Sequence, residues 1–101
     1  MGLLSKRDVT DILELLENEL DAVPRLDKVE KMKWRGRIRQ QENWLVALDE
    51  LKPDKVLMKL KGRLSEVFRL YSASFSEKVV ELLKKKAQQL EKKSRDMNDA
   101  P

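Results

Sequence analysis

The sequence predicts an all-α fold, a small four-helix bundle with antiparallel helices. Two observations support this prediction. Apolar residues recur every three or four positions in successive segments, which is the spacing of one helix face. Pro24 and Pro53 lie between such segments, where helices end or begin. With 101 residues the chain has the size of one domain. We therefore expect a single helical domain over residues 1–97, followed by a frayed tail over residues 98–101.

The first helix is predicted over about residues 6–22. Ser5 and Asp8 have the spacing of a capping box, and an acidic residue in the first turn suits the helix dipole. Pro24 ends the segment. One face of this helix is apolar and comprises Val9, Ile12, Leu13, Leu16, Leu20 and Val23.

The second helix is predicted over about residues 27–51, with Asp27 and Glu30 at its start. It carries two apolar faces that point in different directions, and one straight helix cannot bury both against one neighbour. Gly36 lies close to the change of face, and a glycine weakens a helix. A kink or break near Gly36 is therefore expected. The first face comprises Leu26, Val29 and Met32, and the second comprises Trp34, Ile38, Leu45 and Leu48.

The third and fourth helices are predicted over about residues 53–72 and 75–95. Leu83 and Leu90 repeat at seven residues in the fourth helix, which resembles a short coiled-coil seam. No internal sequence repeat is evident. The apolar face of the third helix continues as far as Phe75 and comprises Leu57, Leu60, Leu64, Val67, Phe68, Tyr71 and Phe75. The predicted core of the domain comprises Ile12, Leu16, Leu45, Leu48, Leu64, Phe68 and Tyr71.

Charge is distributed unevenly along the chain. Residues 1–21 hold two basic and six acidic residues, a balance of −4, whereas residues 22–101 have a balance of +8. Such asymmetry suggests a charged partner. The alternative is that the acidic first helix lies across the basic helices of the same chain.

Catalysis is the function that the composition supports least. The chain has no histidine and no cysteine, which excludes a zinc module and a disulfide framework. Its three glycines form no phosphate-binding loop. We therefore expect no enzyme, cofactor or metal. The longest apolar run, Trp44–Leu48, is too short to cross a membrane. The expected location is intracellular, in the cytoplasm, nucleoid or nucleus.

The favoured function is sequence-independent binding to the backbone of DNA or RNA, as an accessory subunit or regulator of a larger nucleic-acid-processing complex. Basic side chains cluster on helix faces, as neutralisation of phosphates requires. Trp34 could stack on an unpaired base if exposed, although it shares a face with Ile38 and burial is favoured. The candidate nucleic-acid-binding residues are Lys31, Lys33, Arg35, Arg37, Arg39, Lys55, Lys59 and Arg63.

The alternative function is a helical protein–protein adaptor or a homo-oligomeric bundle with no role in nucleic-acid binding. Four apolar residues are the candidate partner interface: Leu15, Trp44, Leu83 and Leu90. Leu15 and Trp44 lie at the margins of the apolar helix faces, whereas Leu83 and Leu90 form the seven-residue repeat. It is equally consistent with the sequence that Leu15 and Trp44 complete broad buried stripes within the chain.

Overall fold

A computed structural model describes the backbone of residues 3–98 and the side chains of residues 3–92. The residues with a described backbone form helices and no strand, which confirms the all-α prediction. The predicted tail over residues 98–101 lies almost entirely outside this part of the chain. The described helices are α1 (Lys6–Asp21), α2 (Lys28–Val46), α3 (Pro53–Arg63), α4 (Ser65–Phe68) and α5 (Phe75–Asn98).

The starts of α1 and α2 follow the predicted caps. The Ser5 hydroxyl accepts a hydrogen bond from the Asp8 backbone N–H at 3.1 Å, and the Asp8 carboxylate accepts one from the Ser5 backbone N–H at 3.0 Å. At α2, the Asp27 carboxylate accepts from the Glu30 backbone N–H at 2.8 Å. These bonds satisfy backbone donors that a helix start leaves without partners.

The second helix differs from its prediction at two points. It runs unbroken from Lys28 to Val46 through Gly36, so of the predicted kink or break the break is wrong, and the kink stays a prediction. That prediction assumed that both apolar faces are buried, but Val29 is 76% exposed and Met32 is 72% exposed. The helix also ends five residues before position 51. Lys52 is extended, at φ −108° and ψ 109°, because the following Pro53 disfavours a helical conformation in the residue before it.

The predicted third helix is divided into α3 and α4. Leu64 leaves the helical conformation, with φ −123° and ψ 37°, so the axis is interrupted after Arg63. Phe68, Tyr71 and Phe75 then pack together, with ring centroids 5.2 Å apart for Phe68–Tyr71 and 4.6 Å for Tyr71–Phe75. The Tyr71 hydroxyl donates a hydrogen bond to the Leu16 carbonyl at 2.8 Å. This buried bond joins the α4–α5 turn to α1.

Side-chain pairs show that α1 runs opposite to α2 and to the segment that includes α5, and that residues 63–66 run opposite to α2. In each set of pairs, the residue number falls on one helix as it rises on the other. The pairs are Asp21–Arg35 and Glu17–Arg39 between α1 and α2, Gln41–Arg63 and Arg37–Glu66 between α2 and α3–α4, and Glu19–Ser72 and Asp11–Lys86 between α1 and the segment that includes α5.

The core is built around α1, whose apolar stripe is buried against α2 and α5. Most of the predicted core is buried as expected, but Phe68 and Leu48 are only partly buried at its margin. The buried apolar residues are Leu4, Val9, Ile12, Leu13, Leu16, Leu20, Val23, Ile38, Leu45, Val56, Leu60, Leu64, Val67, Tyr71, Phe75, Val79 and Leu83.

Candidate nucleic-acid interface

The five alternating bases of α2 divide into two rows. Residues four apart lie on the same face of a helix, because one turn takes about 3.6 residues. Lys31, Arg35 and Arg39 therefore follow one flank of α2, and Lys33 and Arg37 follow the other. The two rows meet different neighbours.

The first row lies against the acidic helix α1. Arg35 forms an ion pair with Asp21, and Arg39 Nε lies 2.6 Å from Glu17 Oε1. Lys31 Nζ donates to the backbone carbonyl of Asp21 at 3.4 Å, near the negative end of the α1 dipole. The acidic helix thus compensates the bases on this flank within the chain. These three predicted nucleic-acid contacts already have intramolecular partners.

The second row leads toward the place where α2 contacts the end of α3 and the start of α4. Arg63, the last residue of α3, donates a hydrogen bond to Gln41 of α2. Arg37 Nη1 lies 3.8 Å from Glu66 Oε2, and both side chains are about half exposed or more. Lys59 and Lys55 precede Arg63 by one and two helical turns, on the same side of α3. We call Lys33, Arg37, Lys55, Lys59 and Arg63 the basic seam.

The bases of the seam are largely uncompensated. Among the described side chains, no carboxylate lies within 4.0 Å of Lys33, Lys55, Lys59 or Arg63. The nearby acid is Glu50. A hydrogen bond from Lys52, followed by the positive charge of Lys52 and then those of Lys55 and Lys59, lowers the pKa of the Glu50 carboxyl. Lys55 and Lys59 of the seam thus add to the larger effect of Lys52 on this carboxyl.

Both tryptophans lie beside the seam. Trp34 and Trp44 are partly buried and pack against the core, so neither is a freely exposed ring. The Arg37 guanidinium carbon lies 5.1 Å from the Trp34 ring centroid, and the Arg63 guanidinium carbon lies 5.2 Å from that of Trp44. Each indole thus has a seam arginine within the range of a cation–π interaction.

Two segments share a pattern that the sequence analysis missed. Residues 32–37 read MKWRGR and residues 58–63 read MKLKGR. The methionine is more than 70% exposed in both segments, and the arginine contacts one of the tryptophans. A Cβ added to either glycine, Gly36 or Gly62, would meet nothing within 4 Å. Direct alignment of the two segments would have revealed the pattern.

The structure changes the interpretation of the predicted partner interface. Leu83 is fully buried in the core and is not available to a partner in this structure, so its assignment to the interface is corrected. Leu15, Trp44 and Leu90 are partly buried and pack against the core. Leu90 also lines an open apolar groove with Leu3, Leu51, Pro53 and Ala87.

A second charged cluster joins α5 to the start of α1. Lys86 Nζ lies 3.0 Å from Asp8 Oδ1 and 2.8 Å from Asp11 Oδ2, and the Lys86 side chain is only 11% exposed. Burial alone raises the pKa of Asp8, but hydrogen bonds from Lys86 and Ser5 outweigh burial, so this pKa is lowered. Burial alone lowers the pKa of Lys86, but the hydrogen bonds of Lys86 to Asp11 and Asp8 outweigh burial, so this pKa is raised. The cluster stabilises the fold, and Asp11 also lines an open depression with Lys6, Arg7, Thr10 and Glu14.

The described residues contain no cluster of three or more acidic side chains that could hold a metal ion. None of the helices within residues 3–98 is both long enough and apolar enough to cross a membrane.

Comparison of the chain with protein-family models, with curated proteins and with solved structures found no match.

Proposed function

We propose that this protein binds the sugar–phosphate backbone of nucleic acid through the basic seam, without sequence specificity and without catalysis. The observation that supports the proposal is the uncompensated charge of the seam. Lys33, Lys55, Lys59 and Arg63 lack a carboxylate within 4.0 Å among the described side chains, and Arg37 has only the long contact to Glu66. Lysine and arginine in such a position replace condensed counterions on phosphate.

The proposal narrows the set of candidate residues. Lys31, Arg35 and Arg39 pair with groups of α1, and the five seam residues contact phosphate. The protein has no catalytic group of its own in this proposal, so it acts as an accessory subunit of a larger nucleic-acid-processing complex. Its place of action is then a compartment that contains nucleic acid, such as the cytoplasm, nucleoid or nucleus.

We also propose that the helices form a four-helix bundle in which α3 and α4 together occupy one position. The antiparallel pairs of α1 with α2 and with the segment that includes α5, and of α2 with residues 63–66, support this arrangement. The two parts of the seam, on α2 and on α3, meet at the contact between Gln41 and Arg63.

The experiment compares two double variants in a fluorescence anisotropy titration with a labelled oligonucleotide at several salt concentrations. Arg37→Gln with Arg63→Gln removes two seam charges. Arg35→Gln with Arg39→Gln removes the same charge from the α1 flank and is the matched control. We expect the seam variant to reduce the salt slope by about two, since each phosphate contact contributes about 0.9 to that slope. Circular dichroism checks that both variants are folded.

The proposal predicts that the control variant retains most of the affinity and slope of the wild-type protein. Equal losses in the two variants would show that net charge, and not the seam, determines binding. Absence of binding by the wild-type protein at low salt would reject the proposed function.

A helical adaptor or homo-oligomer is the second candidate function. The observation that favours it is the exposure of three apolar side chains, Val29 and Met32 one turn apart on α2 and Met58 on α3, which are 72–76% exposed. Neighbouring exposed apolar side chains, such as Val29 and Met32, can form part of a protein interface. Light scattering over a range of concentrations tests self-association. Replacement of Met32 and Met58 by lysine should prevent assembly if these residues mediate it.

A further inference from the structure

We infer that the ligand of the basic seam is an unpaired DNA or RNA strand, whose bases stack on Trp34 and Trp44 while its phosphates contact the seam. This inference rests on the proposed function and specifies its substrate class. The row of cations in the seam and the positions of the two indoles beside it support the inference.

The cations of the seam follow one line. Arg37 is one turn beyond Lys33 on α2, and Arg63 contacts Gln41, one turn beyond Arg37. Lys59 and Lys55 lie one and two turns before Arg63 on the same side of α3, so they extend the positive charge beyond the Arg63–Gln41 contact. The part of the row along α2, from Lys33 to that contact, spans two turns, about 11 Å at about 5.4 Å per turn. A single row of positive charge matches one phosphate strand.

The tryptophans lie along the same line. Trp34 and Trp44 are ten residues apart on α2, which corresponds to about 15 Å along the helix axis. Trp34 lies near Arg37 and Lys33, at 5.1 and 6.0 Å from its ring centroid, and Trp44 lies near Arg63, at 5.2 Å. Each indole is thus beside a cation that can reach a phosphate.

The contacts of Arg37 with Trp34 and of Arg63 with Trp44 can be exchanged for contacts with the ligand. A guanidinium that leaves the ring to bind a phosphate exposes the indole face to a base. Arg37 has only an exposed acidic neighbour at 3.8 Å to leave behind, and the partner of Arg63 is the neutral Gln41. Stacking of a base on the ring then replaces the cation–π contact, and every base has a face suited to this.

A duplex can contact the cations of the seam but cannot stack on its indoles. Its bases are stacked inside the helix, so it offers phosphates to the cations but no base face to the indoles. An acidic protein segment could likewise pair with the cations, but it gives no account of two arginine–tryptophan pairs along one line. The unpaired strand is the ligand that uses both groups.

The first measurement follows tryptophan emission and the anisotropy of labelled oligonucleotides on the wild-type protein. The probes are single strands of about ten nucleotides, within the site sizes known for single-strand-binding folds, in DNA and RNA forms of one sequence, and the matching DNA duplex. We expect quenched tryptophan emission and tighter binding with the single strands than with the duplex. The DNA and RNA arms identify which strand is preferred.

The second measurement replaces the indoles. Trp34→Leu and Trp44→Leu should each weaken single-strand binding by about fivefold or more, the effect of removing one stacking partner, with little change for the duplex. Trp34→Phe and Trp44→Phe retain an aromatic ring and should retain most of the affinity. They also serve if a leucine variant fails to fold, and each leaves one tryptophan as a site-specific reporter.

The outcomes separate the inference from the proposed function. Equal affinity for single strands and duplex, with unchanged emission, would overturn the inference while leaving backbone binding by the seam intact. Binding of neither would reject both. Binding of a poly-glutamate peptide with the same affinity as the single strands would also overturn the inference, because the seam would then recognise negative charge alone.

Discussion

The two flanks of α2 carry the same residue types and differ in what lies opposite them. On one flank, Arg35 and Arg39 meet Asp21 and Glu17 of the acidic helix. On the other, Arg37 of α2 and Arg63 of α3 lie beside Trp34 and Trp44, and the one carboxylate within 4.0 Å of either arginine among the described side chains is Glu66, beside Arg37. The first flank joins two helices of the chain, and the second is left with positive charge. A count of bases along the sequence cannot distinguish these environments.

The two flanks also show which interaction contributes more to the contact between α1 and α2, the burial of apolar side chains or the ion pairs. Exposed ion pairs contribute about 0–1 kcal/mol each, because solvent screens them and ordering the side chains costs entropy. Arg35 and Asp21 are each 47% exposed. The apolar stripe of α1, in contrast, is completely removed from water. We therefore attribute the α1–α2 contact chiefly to apolar burial, with the ion pairs setting which flank of α2 faces α1.

The largest expected effect tests this attribution. Leu16→Ala removes a side chain that is 0% exposed and should lower the free energy of unfolding by about 2–5 kcal/mol, through lost burial and the cavity left behind. The matched control is Leu15→Ala at the adjacent, partly buried position, which should cost clearly less. Urea unfolding followed by circular dichroism measures both.

The double variant Arg35→Gln with Arg39→Gln, measured by the same urea unfolding, tests the contribution of the ion pairs. Its loss of unfolding free energy should be smaller than that of Leu16→Ala. The opposite order would show that the ion pairs, and not the apolar stripe, hold α1 against α2.

The next largest effect is expected at Lys86, whose side chain is 11% exposed and contacts two carboxylates. Lys86→Met leaves Asp8 and Asp11 without their ammonium partner and should cost about 1.5–3 kcal/mol at pH 7, the usual range for hydrogen bonds to charged groups. The control is Lys85→Met, at an exposed position one residue before it. Thermal unfolding at several pH values measures both.

The pH dependence of this stabilisation follows from the two pKa shifts. The pKa of Asp8 is lowered from 3.8 in the folded protein, so its contribution is present above pH 3.8 and is lost as the pH falls through the lower, folded value. The pKa of Lys86 is raised from 10.5, so its contribution is present below pH 10.5 and is lost as the pH rises through the folded value. The difference in stability between wild type and Lys86→Met should therefore be greatest between about pH 4 and 10. A difference that does not change with pH would exclude the ion cluster as its source.

Sequence patterns predicted the helices better than their junctions. The caps at Ser5 and Asp27 and the boundaries at Pro24 and Pro53 are local signals, and the helix bounds near them agree with the structure. The end of α2 and the interruption at Leu64 depend on tertiary packing and were missed. The break predicted at Gly36 is wrong because it required Val29 and Met32 to be buried, and periodicity alone does not show which of two apolar faces is covered.

The candidate site was only partly predictable, for a related reason. Residues four apart lie on the same face of a helix, so the sequence alone separates Lys31, Arg35 and Arg39 from Lys33 and Arg37. Which row meets the acidic helix depends on the rotation of α2 against α1, which only the fold provides. The proximity of Arg63 to Trp44 depends on the pairing of α2 with α3 and could not be anticipated either.

A smaller effect on binding should appear when the acidic partners of the α1 flank are removed. In Glu17→Gln with Asp21→Asn, Arg35 and Arg39 lose their carboxylates and become available to phosphate. The salt slope of nucleic-acid binding should then steepen by up to about 1.8, for two added contacts. The control is Glu14→Gln with Asp49→Asn, which makes the same change in net charge at exposed acids outside the described ion pairs. Equal effects of the two variants would contradict local compensation by α1.

The smallest effect concerns the exposed outer face of α2. Gly36→Ala should raise the free energy of unfolding by about 0.5–1 kcal/mol, because alanine favours the helix and its methyl group meets nothing within 4 Å. Gly62→Ala, at the equivalent place in the second MKxxGR-like segment, should act similarly. Since Gly36 lies away from the seam, nucleic-acid binding should be unchanged. A variant that unfolds less easily but binds less tightly would show that the ligand also approaches the bare backbone at Gly36, and the contact surface would then extend beyond the seam to this outer face.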